Sequence, residues 1–219
     1  MNDSIPVLYE DQAVIVFDKP PGLLVIPTPQ NEQKTLVNLV NKQYAGKGSG
    51  EHLHPCHRLD RDTSGAIIFA KGKKAQQAMM DLFHKKAVKK SYVGFVQGHL
   101  NKHSGELRMP VIDLDAKKFG RHQGQEAVTR YRVLEQRKDF SVVEIQPITG
   151  RTNQIRIHFA QIKHPLVGER KYAFARDYKI KFRRSALHAW RLEWTSPFHH
   201  KRILVESKLA KDMEEFLIK

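Results

Sequence analysis

One cysteine, Cys56, occurs in 219 residues, so no internal disulfide can staple the fold and a disulfide-framed secreted scaffold is excluded. Long hydrophobic runs are missing too. The longest purely apolar stretches, Ala13 to Phe17 and Ala66 to Ala70, are strand-sized, against the ~20 residues that span a bilayer. The chain opens Met1-Asn2-Asp3-Ser4-Ile5-Pro6, without the basic and apolar segments of an export signal. A cytoplasmic protein without membrane attachment is expected. Lys47-Gly48-Ser49-Gly50 is no phosphate-binding loop, because it lacks the G-x-x-x-x-G-K-[ST] spacing, and no serine sits in a G-x-S-x-G elbow. Acidic residues are scarce beside basic ones: 23 against 38, a formal net charge of +15. That excess favours a polyanionic partner.

The basic charge is clustered. From Arg151 to Arg202 there are 13 Lys and Arg against three acids, about two-thirds of the net charge in under a quarter of the chain. Within it, positions 170–184 carry seven cations, one acid and four aromatics, including Lys171, Arg183 and Arg184. Cations neutralise phosphates and exposed aromatics stack on unpaired bases, which fits RNA; an ordinary solvated face with buried aromatics has the same composition. Positions 117–124 are basic and rich in turn formers, a loop suited to clamping RNA.

Hydrophobic periodicity predicts alternating short strands and a few helices. Strands are expected at Val7–Tyr9, Ala13–Phe17, Gly65–Ala70, Ser91–Gln97, Ala127–Leu134, Phe140–Ile145, Leu187–Trp194 and Arg202–Val205. Helices are expected behind a cap at Thr35 with Leu36, Val40 and Tyr44 on one face, around Ala75 to Phe83, behind a cap at Thr152 with Ile155, Phe159 and Ile162 inward, and from Leu209 to Ile218. Mostly short connections argue for an α+β fold with a mixed, mainly antiparallel sheet. Nothing in the composition marks a linker between independent domains, so one domain over 1–219 is expected.

The most informative stretch is His57-Arg58-Leu59-Asp60-Arg61-Asp62-Thr63-Ser64-Gly65, a polar loop running into a buried strand. Asp before Thr-Ser-Gly is also ordinary turn chemistry. His52, His54, Cys56 and His57 lie too close together for the paired ligand clusters typical of zinc, so no metal is expected. Asp60 and Asp62 could serve as a two-carboxylate glycosidase pair, although residues two apart on a loop need not converge on one bond.

This stretch resembles the H-R-L-D-x-x-T-S-G signature of the RluA-type RNA pseudouridine synthases. Other segments match the same family in order: Lys19-Pro20-Pro21-Gly22-Leu23 with Asp18 for the usual Asn, Lys90-Ser91-Tyr92-Val93, Pro147 to His158, His164 to Glu169, and Leu187-His188-Ala189. Two departures stand out: Asn153 replaces the usual His and Glu169 the usual Asp. Neither falls on a residue the family uses for catalysis, so the pattern questions local packing or RNA contacts there, not the reaction. The catalytic pattern begins within the first ten residues, so no N-terminal S4 module is expected.

The resemblance implies a bent sheet flanked by helices and conversion of uridine to pseudouridine in rRNA or tRNA, with base flipping and no cofactor, nucleotide or metal. It implies Asp60 as the catalytic carboxylate, Arg156 as the cation that keeps it ionised, and Tyr92 as the aromatic against the flipped uracil. It further implies Arg58 entering the vacated stack, Leu187 bordering the base, His188 as structural, and Arg151 and Gln154 among the RNA contacts. A monomer is expected. Two other readings stay open: an RNA-binding assembly factor on a synthase scaffold, and a nucleosidase or glycosidase using Asp60 with Asp62.

Overall fold

Two apolar segments, Val14–Lys19 (β2) and Ser64–Lys71 (β4), are buried along almost their whole length, which is why their sequences read as continuous hydrophobic runs and do not alternate. A computed structural model describes residues 4–28, 32–45, 51–114, 123–174 and 180–218. The described residues fall into two compact units, 1–90 with 188–219 and 91–187. The fold is α+β with a mixed, mainly antiparallel sheet and, among the described residues, four helices.

In the first unit, Val7–Glu10 (β1), β2, β4 and Leu187–Thr195 (β9) lie side by side, with Leu53–Pro55 (β3) on β4 and Arg202–Glu206 (β10) on β9. All these pairs are antiparallel except β4 with β9, where Ser64 faces His188 and Gly65 faces Ala189 in parallel. Gly65 has φ +107°, and a Cβ there would collide with the Ala189 carbonyl oxygen, so no other residue fits this crossing. His188 is buried between the Ser64 hydroxyl (2.9 Å) and the Ser207 carbonyl (3.4 Å), a bracing position.

Helix α1 (Leu36–Ala45) turns Leu36, Val40 and Tyr44 inward, the face expected from their spacing. Thr35 precedes the helix as expected and its carbonyl accepts the Leu39 N–H (3.0 Å), but its side chain makes no capping bond: among the described residues Thr35 Oγ1 has no hydrogen-bond partner. The first helical N–H groups, of Leu36 and Val37, instead donate to the Leu24 and Val25 carbonyls at 2.8 and 3.0 Å. Helix α2 (Gly72–His84) buries Ala75 and Met79 against Val16, Ile68, Leu192 and Trp194. Lys211–Ile218 forms the last helix, α4.

The second unit orders its strands β5 (Lys89–Gln97, from Ser91 onward), β8 (Phe140–Pro147), β7 (Gln125–Gln136) and β6 (Ser104–Val111), all antiparallel. Helix α3 (Gln154–Gln161) packs on β6, β7 and β8. Its N-cap is Asn153 and not Thr152, with φ +54° and no side-chain capping bond. Asn tolerates this left-handed backbone better than most residues. Gln154, Ile155, Ile157, His158 and Phe159 are buried, while Ile162, expected in the stripe, is the half-buried C-cap. Among the described residues no helix is long and apolar enough to cross a membrane.

Candidate active site

The loop from Cys56 to Thr63 is fixed at several points in the first unit. Cys56 N–H donates to the Ile68 carbonyl (3.0 Å), and the Ile68 N–H donates to His57 Nε2 (3.0 Å). The His57 ring lies 4.8 Å from the Phe83 ring, and Leu59 is buried in the core. Thr63 N–H donates to the Asp60 carbonyl at 3.1 Å, closing a tight turn. Lys19, wholly buried, reaches the same turn: its ammonium donates to the carbonyls of Pro20 (2.9 Å), Leu23 (2.6 Å) and Arg61 (2.9 Å). One charged side chain thus ties the Lys-Pro-Pro-Gly turn to the Asp60 turn. Asp60 itself is half-buried and Arg58 is exposed. Backbone anchoring around a half-buried carboxylate residue is what a reactive group needs, because its position then costs little reorganisation during reaction.

Burial, and after it the charge of Lys90, pushes the His57 imidazole down to about 3, so it is neutral at physiological pH and free to accept the Ile68 N–H. Burial also pushes the Cys56 thiol up to about 12, which makes it an inert core side chain and not a nucleophile. Among the described residues no group of three or more His, Cys, Asp or Glu side chains is placed to hold a metal ion.

In the second unit, Tyr92 stands on β5 opposite Ile145 and is buried, as is Leu187. Arg156, in the first turn of α3, is held from several directions. Glu169 binds it in a fork, with Nε donating to Oε2 (2.6 Å) and Nη2 to Oε1 (2.8 Å), and Nη1 donates to Asn153 Oδ1 (2.9 Å). The guanidinium carbon also lies 5.2 Å from the centre of the Tyr172 ring. Glu169 has no exposed surface; burial raises its carboxyl, but the hydrogen bonds and charge of Arg156 outweigh that and hold it below the usual range. This cradle was not foreseen from the sequence. Asn153 lies three residues before Arg156, a spacing that makes helical neighbours; Glu169 offers no local signal.

The expected RNA contacts divide sharply. Arg151 and Arg183 are exposed, as Arg58 is, and Lys171 is half-buried beside Asp113 at 3.3 Å. Gln154 and Arg184 are interior, which corrects the expectation that they face RNA. Gln154 donates to the Val128 carbonyl and Thr129 hydroxyl and accepts from the Thr149 hydroxyl and Arg151 N–H. The Arg184 guanidinium donates to the Ser185 and Leu187 carbonyls. Both brace the backbone. The expected basic clamp at 117–124 falls mostly outside the described residues, as does the middle of the 170–184 segment.

A family profile described as RNA pseudouridylate synthase matches residues 13–161. The chain belongs to the RluA-type RNA pseudouridine synthases. Among curated relatives, the uncharacterized RNA pseudouridine synthase YhcT of Bacillus subtilis (strain 168) is 33% identical, over 96% of this chain and 70% of its own length. The ribosomal large subunit pseudouridine synthase D of Nitrosomonas europaea is 34% identical, over 98% of this chain and 65% of its own. The solved structure of human RNA Pseudouridylate Synthase Domain Containing 4 superimposes with a TM-score of 0.81, covering 97% of this chain and 91% of that one. At 24% identity, that likeness establishes the shared fold. This synthase is therefore an isomerase whose substrate is RNA, and Asp60, in its anchored turn, lies inside the matched region.

Proposed function

We propose that this synthase converts a uridine of ribosomal RNA to pseudouridine with Asp60 as its catalytic carboxylate. The N1–C1′ bond breaks, uracil turns over, and a C5–C1′ bond forms; C5 gives up a proton and N1 ends with one, so no atom is gained or lost. An ionised carboxylate can attack C1′ or remove the 2′ proton, and both routes need it charged. The target base must leave its stack first, at a cost of a few kcal/mol. Tyr92 is the aromatic for the flipped uracil and Arg156 the cation of the reaction. Arg58, exposed on the Asp60 loop, is the side chain for the vacated stack, its planar guanidinium suited to that place.

The observation that carries this reading is the turn bearing the half-buried Asp60, tied down by the Thr63 N–H and by the Lys19 ammonium on the Arg61 carbonyl. The ribosomal target rests on relatives named as ribosomal large subunit pseudouridine synthase D.

The test is tritium release from 5-tritiated uridine in ribosomal RNA by the purified protein, with pseudouridines mapped in cells lacking the gene. Asp60→Asn should lower turnover at least about a thousandfold with RNA affinity nearly unchanged. Full turnover by Asp60→Asn would reject the catalytic assignment, and growth rescued equally by Asp60→Ala would favour an assembly role. Release of free uracil would mark a nucleosidase.

A further inference from the structure

Positions 153 and 169 are two of the three places, with Asp18, where the chain departs from the pattern of the family it resembles: Asn for the usual His and Glu for the usual Asp. Both side chains meet on Arg156. Glu169 holds Nε and Nη2, and Asn153 Oδ1 accepts from Nη1, so these bonds engage all three guanidinium nitrogens.

Each partner is fixed from behind. Glu169 Oε1 also accepts the N–H groups of Lys171 (2.8 Å) and Tyr172 (3.2 Å), and Oε2 accepts the Ser185 hydroxyl (2.9 Å). Asn153 Nδ2 donates to the Tyr172 hydroxyl (2.9 Å) and Asp113 Oδ1 (3.3 Å), while that hydroxyl donates to the same Asp113 oxygen at 2.5 Å. Asn153 sits at the helix N-cap with a left-handed backbone, a conformation Asn adopts more readily than most residues.

The two departures are complementary in length. Asp at 169 would be shorter by one C–C bond, about 1.5 Å, and could not keep the fork on Arg156 together with its backbone and Ser185 bonds. His at 153 would put a rigid ring where a compact amide now accepts from Arg156 and donates to Tyr172. A neutral imidazole has only one donor and one acceptor, on fixed sides of the ring, and a protonated one has no acceptor for the guanidinium.

We propose that Asn153 and Glu169 are a matched positioning pair for Arg156: the longer carboxylate and the shorter amide together set the guanidinium plane, and exchanging either alone misplaces it. The proposal rests on the reading of Arg156 as the cation of the reaction. It makes the two departures one change.

The experiment is a double-mutant cycle on the purified protein with Asn153→His, Glu169→Asp and both together, read as kcat and KM for tritium release from 5-tritiated ribosomal RNA and as melting temperature. Each single variant should lower kcat about tenfold while KM stays within about threefold, and the double variant should return to within about threefold of the parent. Losses in kcat that multiply in the double variant, or singles with parental kcat, would overturn the pairing. For a variant too unstable for kinetics, melting temperature carries the cycle: a double variant melting above the sum of the single effects supports the pair, and additive shifts reject it. Arg156→Lys and Arg156→Ala run alongside. Parental kcat in both would refute the role of Arg156 itself, whereas inactive Arg156 variants with multiplying singles would reject only the pair.

Discussion

Glu169 takes the guanidinium of Arg156 on both of its carboxylate oxygens, at 2.6 and 2.8 Å, from a position with no exposed surface. A buried ion pair of this kind contributes little net stability against an apolar substitute, but breaking it by removing one partner leaves a buried charge and is costly. Its value is geometric: a forked pair fixes a plane as well as a position. The arginine that the family resemblance singles out is thus a held group and not a loose surface cation.

Lys19 should prove indispensable to the Asp60 turn. Lys19→Met keeps the length and apolar stem but removes donors from the carbonyls of Pro20, Leu23 and Arg61. Only the bond to the Leu23 carbonyl is fully buried, Pro20 and Arg61 being exposed residues, so one unpaired buried carbonyl and a loss of roughly 1–3 kcal/mol are expected. In a chain of this size that lowers the melting temperature by about 2–12 °C. Turnover should fall as well, since the turn bearing Asp60 loses an anchor. An unchanged melting temperature would rule this role out.

His57 should make the first unit acid-sensitive. Its folded-state value of about 3 lies below the ~6.5 of an unfolded chain. A depressed histidine contributes stability that is fully present above pH ~6.5 and is lost as pH falls toward 3, at up to about 1.4 kcal/mol per pH unit. His57→Gln removes that titration. The stability difference between parent and variant in urea unfolding should therefore shrink from pH 6.5 to pH 4.5, roughly the window that linkage sets. Parallel pH curves would show that His57 does not titrate in this way.

The arginines should separate by exposure. Arg58→Ala, Arg151→Ala and Arg183→Ala, all at exposed positions, should each weaken RNA binding and reduce the salt slope by about one, with melting unchanged. Arg184→Ala, which removes the donor to the Leu187 carbonyl, should lower the melting temperature and leave the slope alone. Anisotropy titrations of a ribosomal RNA fragment over a range of salt concentrations measure the slopes. A full unit lost from the slope in Arg184→Ala would return that residue to the RNA face.

Much of the fold was legible because period and composition are local. The face Leu36, Val40 and Tyr44, the buried run at 66–70 and the amphipathic helix around Met79 all appear where the sequence places them. Strand β6 was not: in Ser104–Val111 the residues Leu107, Met109 and Val111 alternate with polar neighbours, but Pro110 argues against a strand interior and is tolerated here because the strand lies at a sheet edge. Strand β3, three residues long, gives no periodic signal. Helix α1 starts at Leu36 as expected, but the completion of its first N–H groups by the carbonyls of Leu24 and Val25 escaped prediction, as did the shift of the α3 cap by one residue to a left-handed Asn153.

By itself the sequence determined the fold class, the loop that carries Asp60 and the basic character of the surface, because periodicity, motif spacing and net charge are properties of the chain alone. Only the tertiary structure decided which cations face solvent and which are consumed internally. It sent Lys19 and Arg184 inward, along with the neutral amide of Gln154, and left Arg58, Arg151 and Arg183 exposed. It also joined Asn153 and Glu169, sixteen residues apart, on one guanidinium. A charge or an amide has the same composition wherever it lies. Burial and hydrogen-bond partners, which fix what it can do, come from segments distant in sequence that meet only on folding.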